Sequence, residues 1–342
     1  MRILSNPYRG TGLDIPVLAD VPYPLTEPVG ILTRHPRYAE TPLVELPDLA
    51  RAAGVGHLHV KDERGRMGLG SFKALGAAHV IARDAEAGLA EGRTYVTASA
   101  GNHGMSVAFG AATYGACARV YLAETVPESF AGRLRAEGAE VVRAGETYEE
   151  SMAAAAQAAD AEGLALLSDS SWPGYTERPL ILMEGYLTLM AEVFGQIPEP
   201  PTHIFLQAGV GGLAGAAAAI TRAHWGDGPR IVVVEPEAAP ALTASIEAGK
   251  PVIAPGPVSI MGRLDCKEPS LIALKGLARD ADEFVTISEE EAVFGSARAD
   301  EAGLASTPSG VAGIAAVMVA AGGLSLGPDS RVLTMLTEQA EP

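Results

Sequence analysis

Lys73 stands where the polar, glycine-rich turn of VKDERGRMGLGSF gives way to an apolar helix face made of Ala74, Leu75, Ala77, Ala78, Val80 and Ile81. The chain has only four other lysines, at 61, 250, 267 and 275, and none has that setting. An amine taken out of water holds its proton less tightly, and a neutral amine is what attack on an aldehyde requires. The position alone also suits a lysine that snorkels from a helix end. A second feature is the strand HIFLQA, which runs into Gly209, Val210, Gly211 and Gly212 ahead of an Ala-rich helix. Glycines there let backbone N–H groups close on an anion, and the helix start adds partial positive charge. A phosphate would be held by such a loop. So would a dinucleotide: GVGGLA satisfies G-x-G-x-x-A, and Glu235 closes the following strand where a ribose-binding acid belongs, the pattern of a nicotinamide-dependent oxidoreductase. A tight turn with no ligand also needs such glycines. Third, TYVTASAGNHGMS ends a strand at Ser99, Ala100, Gly101, Asn102, His103 and Gly104 before another helix, a second anion-friendly loop suited to a carboxylate. His103 either moves protons or packs at the helix start.

These residues need a scaffold that gathers strand ends. From about residue 55 onward, short β-rich runs alternate with longer helical stretches, the pattern of a parallel sheet covered by helices. Strands are expected at 57–60, 94–99, 118–123, 139–144, 164–169, 203–208, 230–235, 283–288 and 331–336, several of them apolar without alternation because both faces are buried. The expected fold is doubly wound α/β. SWPGYTERPLILMEGYLTLMAEVFGQIPEPPTH reads as a long helix closed by prolines that can carry the chain between domains, with a boundary near residue 185. Residues 1–80 and 186–342 would form a large cofactor-binding domain and 81–185 a smaller α/β domain. The proline-rich first 40 residues are expected to be an irregular arm.

Composition narrows the partners. Lys plus Arg number 25 against 42 Asp plus Glu, a balance of −17 that repels nucleic acid and anionic lipid. No apolar run approaches the roughly 20 residues that span a bilayer, and the N-terminus lacks the apolar stretch of a signal peptide. Cys117 and Cys266 are too few for a disulfide framework; two free thiols, each expected to be a small packed hydrophobe, fit a cytoplasmic protein.

SFK at 71–73, SAGNHG at 99–104 and GVGG at 209–212, in that order and spacing, resemble the fold type II pyridoxal phosphate enzymes, the group of threonine and serine ammonia-lyases, serine racemase, cysteine synthase and the tryptophan synthase β chain. TPLVELPDLA, KDERGRMGLGSFKALG, SDSSWPGYTERPLILMEGYLTLMAE, GVGGLAG and MGRLDCKEPS are similar to stretches of the diaminopropionate ammonia-lyase family, and the likeness extends from about Thr41 to at least Gly310. The resemblance implies two parallel-sheet α/β domains with the active site between them, pyridoxal 5'-phosphate as cofactor, a small amino acid as substrate and a homodimer. It makes Lys73 the Schiff-base lysine and the base for the α-proton. Gly209, Val210, Gly211 and Gly212 would bind the phosphate, and Asn102 the 3-hydroxyl. Ser99, Ala100, Gly101 and His103 would lie along the substrate carboxylate. Ser309, or else Thr307, would face the pyridine nitrogen. His57 and His59 match no motif and are expected to be structural.

In the family an acidic residue precedes GNHG, where this chain has Ala100. That carboxylate serves the D isomer, so the departure implies an L-specific enzyme. Asp169 in SDSSWPGY matches the second carboxylate of the site and would contact a distal amine or shuttle a proton; Asp169, Ser170 and Ser171 also favour a helix cap. The implied reaction removes the β-substituent of an amino acid, turning 2,3-diaminopropionate into pyruvate and ammonia. A serine, threonine or hydroxyaspartate ammonia-lyase is the nearest alternative. A catalytically silent binding protein of the same fold is a third.

Overall fold

Runs such as IVVV at 231–234 and VLTML at 332–336 offer apolar side chains to both faces of a strand, and they are stable only in a sheet covered on both sides. The computed structural model, which describes residues 1–18, 30–320 and 323–341, places them in such a sheet. The strands are β1 (Arg2–Ser5), β2 (Leu43–Glu45), β3 (His57–Asp62), β4 (Thr94–Ala98), β5 (Cys117–Leu122), β6 (Glu140–Arg143), β7 (Ala165–Leu166), β8 (His203–Gln207), β9 (Arg230–Pro236), β10 (Glu283–Ile287) and β11 (Arg331–Leu336). The helices are α1 (Pro47–Ala53), α2 (Lys73–Glu86), α3 (Asn102–Thr113), α4 (Glu128–Ala136), α5 (Tyr148–Glu162), α6 (Glu177–Gln196), α7 (Gly212–Trp225), α8 (Ala241–Ala248), α9 (Leu271–Asp280), α10 (Glu289–Glu301) and α11 (Ala312–Val319). One sheet has the order β1-β10-β9-β8-β11-β3-β2, parallel except for the antiparallel edges β1 and β2; the other, β6-β5-β4-β7, is wholly parallel.

The α/β expectation holds, and the expected strands form with shifted ends. β7 is the most shortened, because the Tyr175 hydroxyl takes the Ser168 N–H (3.0 Å) and donates to the Leu166 carbonyl (3.0 Å), drawing residues 168–171 out of the sheet. The expected irregular arm begins instead with β1, which pairs with β10, after which the Asn6 amide donates to the carbonyls of Ala278 (2.8 Å) and Ala281 (2.7 Å). The middle of that arm, residues 19–29, lies outside the described residues. The long helix at the proposed boundary is α6, and it runs through Gly185 without a break. Among the described residues no helix is long and apolar enough to cross a membrane.

α2, which begins with Lys73, packs between α3 and α6. Its contact with α6 depends on two glycines. A Cβ on Gly76 would lie 2.8 Å from the Tyr186 ring, and one on Gly185 would lie well inside van der Waals contact distance of the Leu75 carbonyl oxygen. Main chain cannot swing aside as a side chain can, so Gly185→Ala is expected to destabilise the protein by about 1–3 kcal/mol and to displace α2. Urea unfolding of the variant beside Gly195→Ala, whose new Cβ meets nothing within 4 Å, measures the difference.

Candidate active site

The turn that delivers Lys73 is built from conformations few side chains tolerate. Gly68 and Gly70 have φ of 73° and 77°, and the space a Gly70 side chain would fill is taken by the Gln339 carboxamide. The chain just past β11 clasps this turn: Phe72 N–H donates to the Thr337 carbonyl (3.1 Å) and Gln339 N–H to the Gly70 carbonyl (2.9 Å). Lys73 is therefore fixed at the first position of α2 by the strand that ends beneath it.

Lys73 Nζ donates to Asp169 Oδ2, with side-chain exposures of 22% and 19%. The structure thus brings together the two residues expected to be catalytic. It also corrects the expectation of a weakly basic lysine. Burial does lower the amine's affinity for its proton, but the Asp169 carboxylate, helped by Tyr186, outweighs it and raises the pKa above that of free lysine. Burial alone would raise the Asp169 pKa; Lys73, then His103, hold it below the usual carboxylate range. The helix-cap reading of Asp169 fails, since α6 starts only at Glu177.

Gly209 to Gly212 form the loop between β8 and α7. Gly211 has φ 96°, and a Cβ on Gly209 would lie 2.9 Å from Cys266 Sγ. Among the described residues no acceptor takes the N–H groups of Gly209, Gly211 and Gly212, while the Val210 N–H faces the Cys266 sulfur. Cys266 is half-buried beside the loop, its thiol pushed up to about 12 by burial; Cys117 is exposed, contrary to the expectation of packing. Glu235 removes the dinucleotide alternative. It is wholly buried and caps the start of α8, accepting from Leu242 N–H (2.8 Å), Thr243 N–H (2.8 Å) and the Thr243 hydroxyl (2.6 Å), so no ribose can reach it.

The third loop, between β4 and α3, lies alongside. Gly101 N–H donates to Ser99 Oγ (3.3 Å), Ala100 adds only a methyl group, and Gly104 leaves no room for a side chain against the Ser99 carbonyl. The buried His103 ring turns away from the loop: Nε2–H donates to the Leu167 carbonyl (2.9 Å), and burial lowers its pKa. His103 can serve the carboxylate only through its backbone. Asn102 Nδ2 donates to Glu338, and the Thr307 hydroxyl donates to the same carboxylate. Thr307 is thereby committed, whereas buried Ser309 accepts the Arg263 N–H (3.0 Å) and keeps its own proton to donate. Glu338 was not foreseen; an acid directly after an apolar final strand was the available signal. His57 is exposed and pairs with Glu45 (2.8 Å), and His59 is buried on the same strand.

A lysine at a helix start, an adjacent carboxylate and a glycine loop with free N–H groups, all at the C-terminal ends of parallel strands, define an enzyme that holds a phosphorylated aldehyde. Gly209, Gly211 and Gly212 fit the phosphate and Lys73 the aldehyde carbon. Residues 35–338 match the family described as pyridoxal-phosphate dependent enzyme, and the chain belongs to that family. Its cofactor is pyridoxal phosphate. The chain is 34% identical over 266 residues to the diaminopropionate ammonia-lyase of Salmonella typhimurium, covering 70% of this chain and 66% of that enzyme. It is 34% identical over 223 residues to the L-threonine ammonia-lyase of Geobacter sulfurreducens, covering 65% and 52%. The holo diaminopropionate ammonia lyase of Escherichia coli superimposes with a TM-score of 0.87 at 27% identity, over 99% of this chain and 93% of that one.

Proposed function

We propose that the protein is an ammonia-lyase that eliminates the β-substituent of a small amino acid, 2,3-diaminopropionate first among them and its L isomer preferred, giving pyruvate and ammonia. The observation that carries the proposal is the Lys73–Asp169 pair beside the glycine loop. When bound, pyridoxal phosphate supplies the electron sink that makes an α-proton removable. The chain's own residues do the rest. The N–H groups of Gly209, Gly211 and Gly212 would take the phosphate, Asn102 would serve the cofactor's hydroxyl, and Ser309 would offer the ring nitrogen a neutral donor. Backbone N–H groups of the Ser99–His103 loop receive the substrate carboxylate. Lys73 Nζ, uncharged once substrate has displaced it from the cofactor, would accept the α-proton, and Asp169, one hydrogen bond away, would stabilise the resulting ammonium and face a distal ammonium of the substrate. Ala100 offers no second base, which favours one stereoisomer. Similarity to the L-threonine ammonia-lyase, together with Ala100, supports the second reading, a hydroxy amino acid substrate.

Measuring 2-oxo acid release from L- and D-2,3-diaminopropionate, L-serine and L-threonine decides among these. The expected order places L-diaminopropionate first; a faster hydroxy amino acid would establish the second reading, and amino acid binding without any product would leave a silent binding protein. Asp169→Asn keeps the shape of the side chain and removes its charge. It is expected to lower kcat/KM for diaminopropionate about 100-fold, with a smaller loss on threonine, which has no distal ammonium.

A further inference from the structure

Arg263 reaches the carboxylate loop from the opposite wall of the site. A Cβ on Gly101 would lie 2.7 Å from its Nη1, so the guanidinium occupies the space that a side chain on the loop would fill. Its main chain is held on both sides, with its N–H on the buried Ser309 hydroxyl (3.0 Å) and its carbonyl 3.1 Å from where a Gly209 Cβ would be. The Arg263 main chain thus lies against the glycine loop proposed to take the phosphate, while the guanidinium remains 32% exposed. Nothing in the elimination of ammonia from diaminopropionate uses it.

Its present partners are weak. Glu341, at 2.6 Å, is 54% exposed, and an exposed ion pair contributes only about 0–1 kcal/mol. Glu338 lies 3.9 Å from Nε, beyond hydrogen-bond range, and accepts from Asn102 and Thr307. The other nearby cations are engaged: Lys73 by Asp169, and Lys267 by Asp265 and the carbonyls of Ala238 (2.9 Å) and Pro257 (2.8 Å). A planar guanidinium with donors to spare matches a carboxylate two-pronged.

We infer that Arg263 binds a second substrate carboxylate, one carried on the β-carbon, so that the site takes amino acids of the 3-hydroxyaspartate class. The inference rests on the proposed elimination and names a substrate class for it. The α-proton passes to Lys73, the Cβ–O bond breaks and water leaves. Hydrolysis then returns one water and releases ammonia and a four-carbon 2-oxo diacid, with no external oxidant or reductant. The Glu341 carboxylate holds the place of the incoming one.

The test uses the holoenzyme and two amino acids that have no β-leaving group. L-Aspartate and L-alanine are titrated against the visible band of the bound cofactor, and 2-oxo acid release is followed from 3-hydroxyaspartate and from 2,3-diaminopropionate. The wild type is expected to bind aspartate about 10- to 100-fold more tightly than alanine, the range of a hydrogen bond to a charged group, and Arg263→Ala is expected to abolish that ratio. Glu341→Ala, which removes the carboxylate that competes for Arg263, should tighten aspartate binding and leave alanine binding as it was, and it answers the question even if Arg263→Ala folds poorly. An equal loss of both amino acids in Arg263→Ala, or no preference for aspartate in the wild type, overturns the inference. Failure of the wild type to release a 2-oxo acid from any amino acid would refute the elimination itself and leave the aspartate preference to decide the role of Arg263.

Discussion

Lys73→Ala is expected to lower 2-oxo acid release by about 1,000-fold or more, because it removes both the amine that meets the cofactor's aldehyde and the base at the α-carbon. The phosphate loop is untouched, so cofactor should still be retained, without a covalent attachment. Lys73→Arg separates the two roles of charge and nucleophile. A guanidinium can keep the ion pair with Asp169 but stays protonated at any accessible pH, so activity should be lost while stability is kept. In Lys73→Ala the Asp169 carboxylate loses the largest influence that opposes burial, so its pKa is expected to rise. Activity in Lys73→Arg comparable to wild type would show that another group does the chemistry.

The second large effect lies beneath the site. Arg66 is wholly buried and gives Nε and Nη2 to Glu63 (2.7 Å each) and Nη1 and Nη2 to Glu192 (2.7 and 2.8 Å). Lys61 Nζ lies 2.6 Å from the same Glu192, whose pKa burial would raise but which Arg66 and then Lys61 hold down. Glu192→Ala leaves buried Lys61 without its ion-pair partner and buried Arg66 with Glu63 alone, and the expected loss is about 3–5 kcal/mol. By contrast Asp48→Ala, which breaks a pair exposed 75% and 89%, should cost less than about 1 kcal/mol. Urea denaturation at neutral pH measures both. Residues 61–66 lead into the turn that places Lys73, so Glu192→Ala should weaken cofactor retention as well. Equal stabilities of the two variants would mean that the buried network is not the anchor described.

Sequence and structure agree where the demand on the residue is local. A glycine at φ 96°, such as Gly211, or one under a carbonyl, such as Gly104, follows from a tight strand-to-helix turn, and the apolar central strands follow from double burial. Lys73 was legible because its turn and its helix are contiguous. The features that escaped depend on partners far along the chain. The basicity of Lys73 is set by Asp169, 96 residues away, and the Asn102 amide is held by Glu338, 236 residues away. Glu235 gave the pattern of a ribose ligand because a strand-terminal acid has the same spacing whether it meets a nucleotide or, as here, the start of the next helix. β1 has only four residues, too few for any periodicity, and owes its existence to the edge of β10.

The most direct test of the account is the identity of the residue that carries the cofactor. Treating the holoenzyme with borohydride and mapping its peptides should place the pyridoxyl group on Lys73 alone, with the visible band lost in step with activity. Labelling at Lys61, Lys250, Lys267 or Lys275, or a protein that binds no pyridoxal phosphate at all, would contradict it.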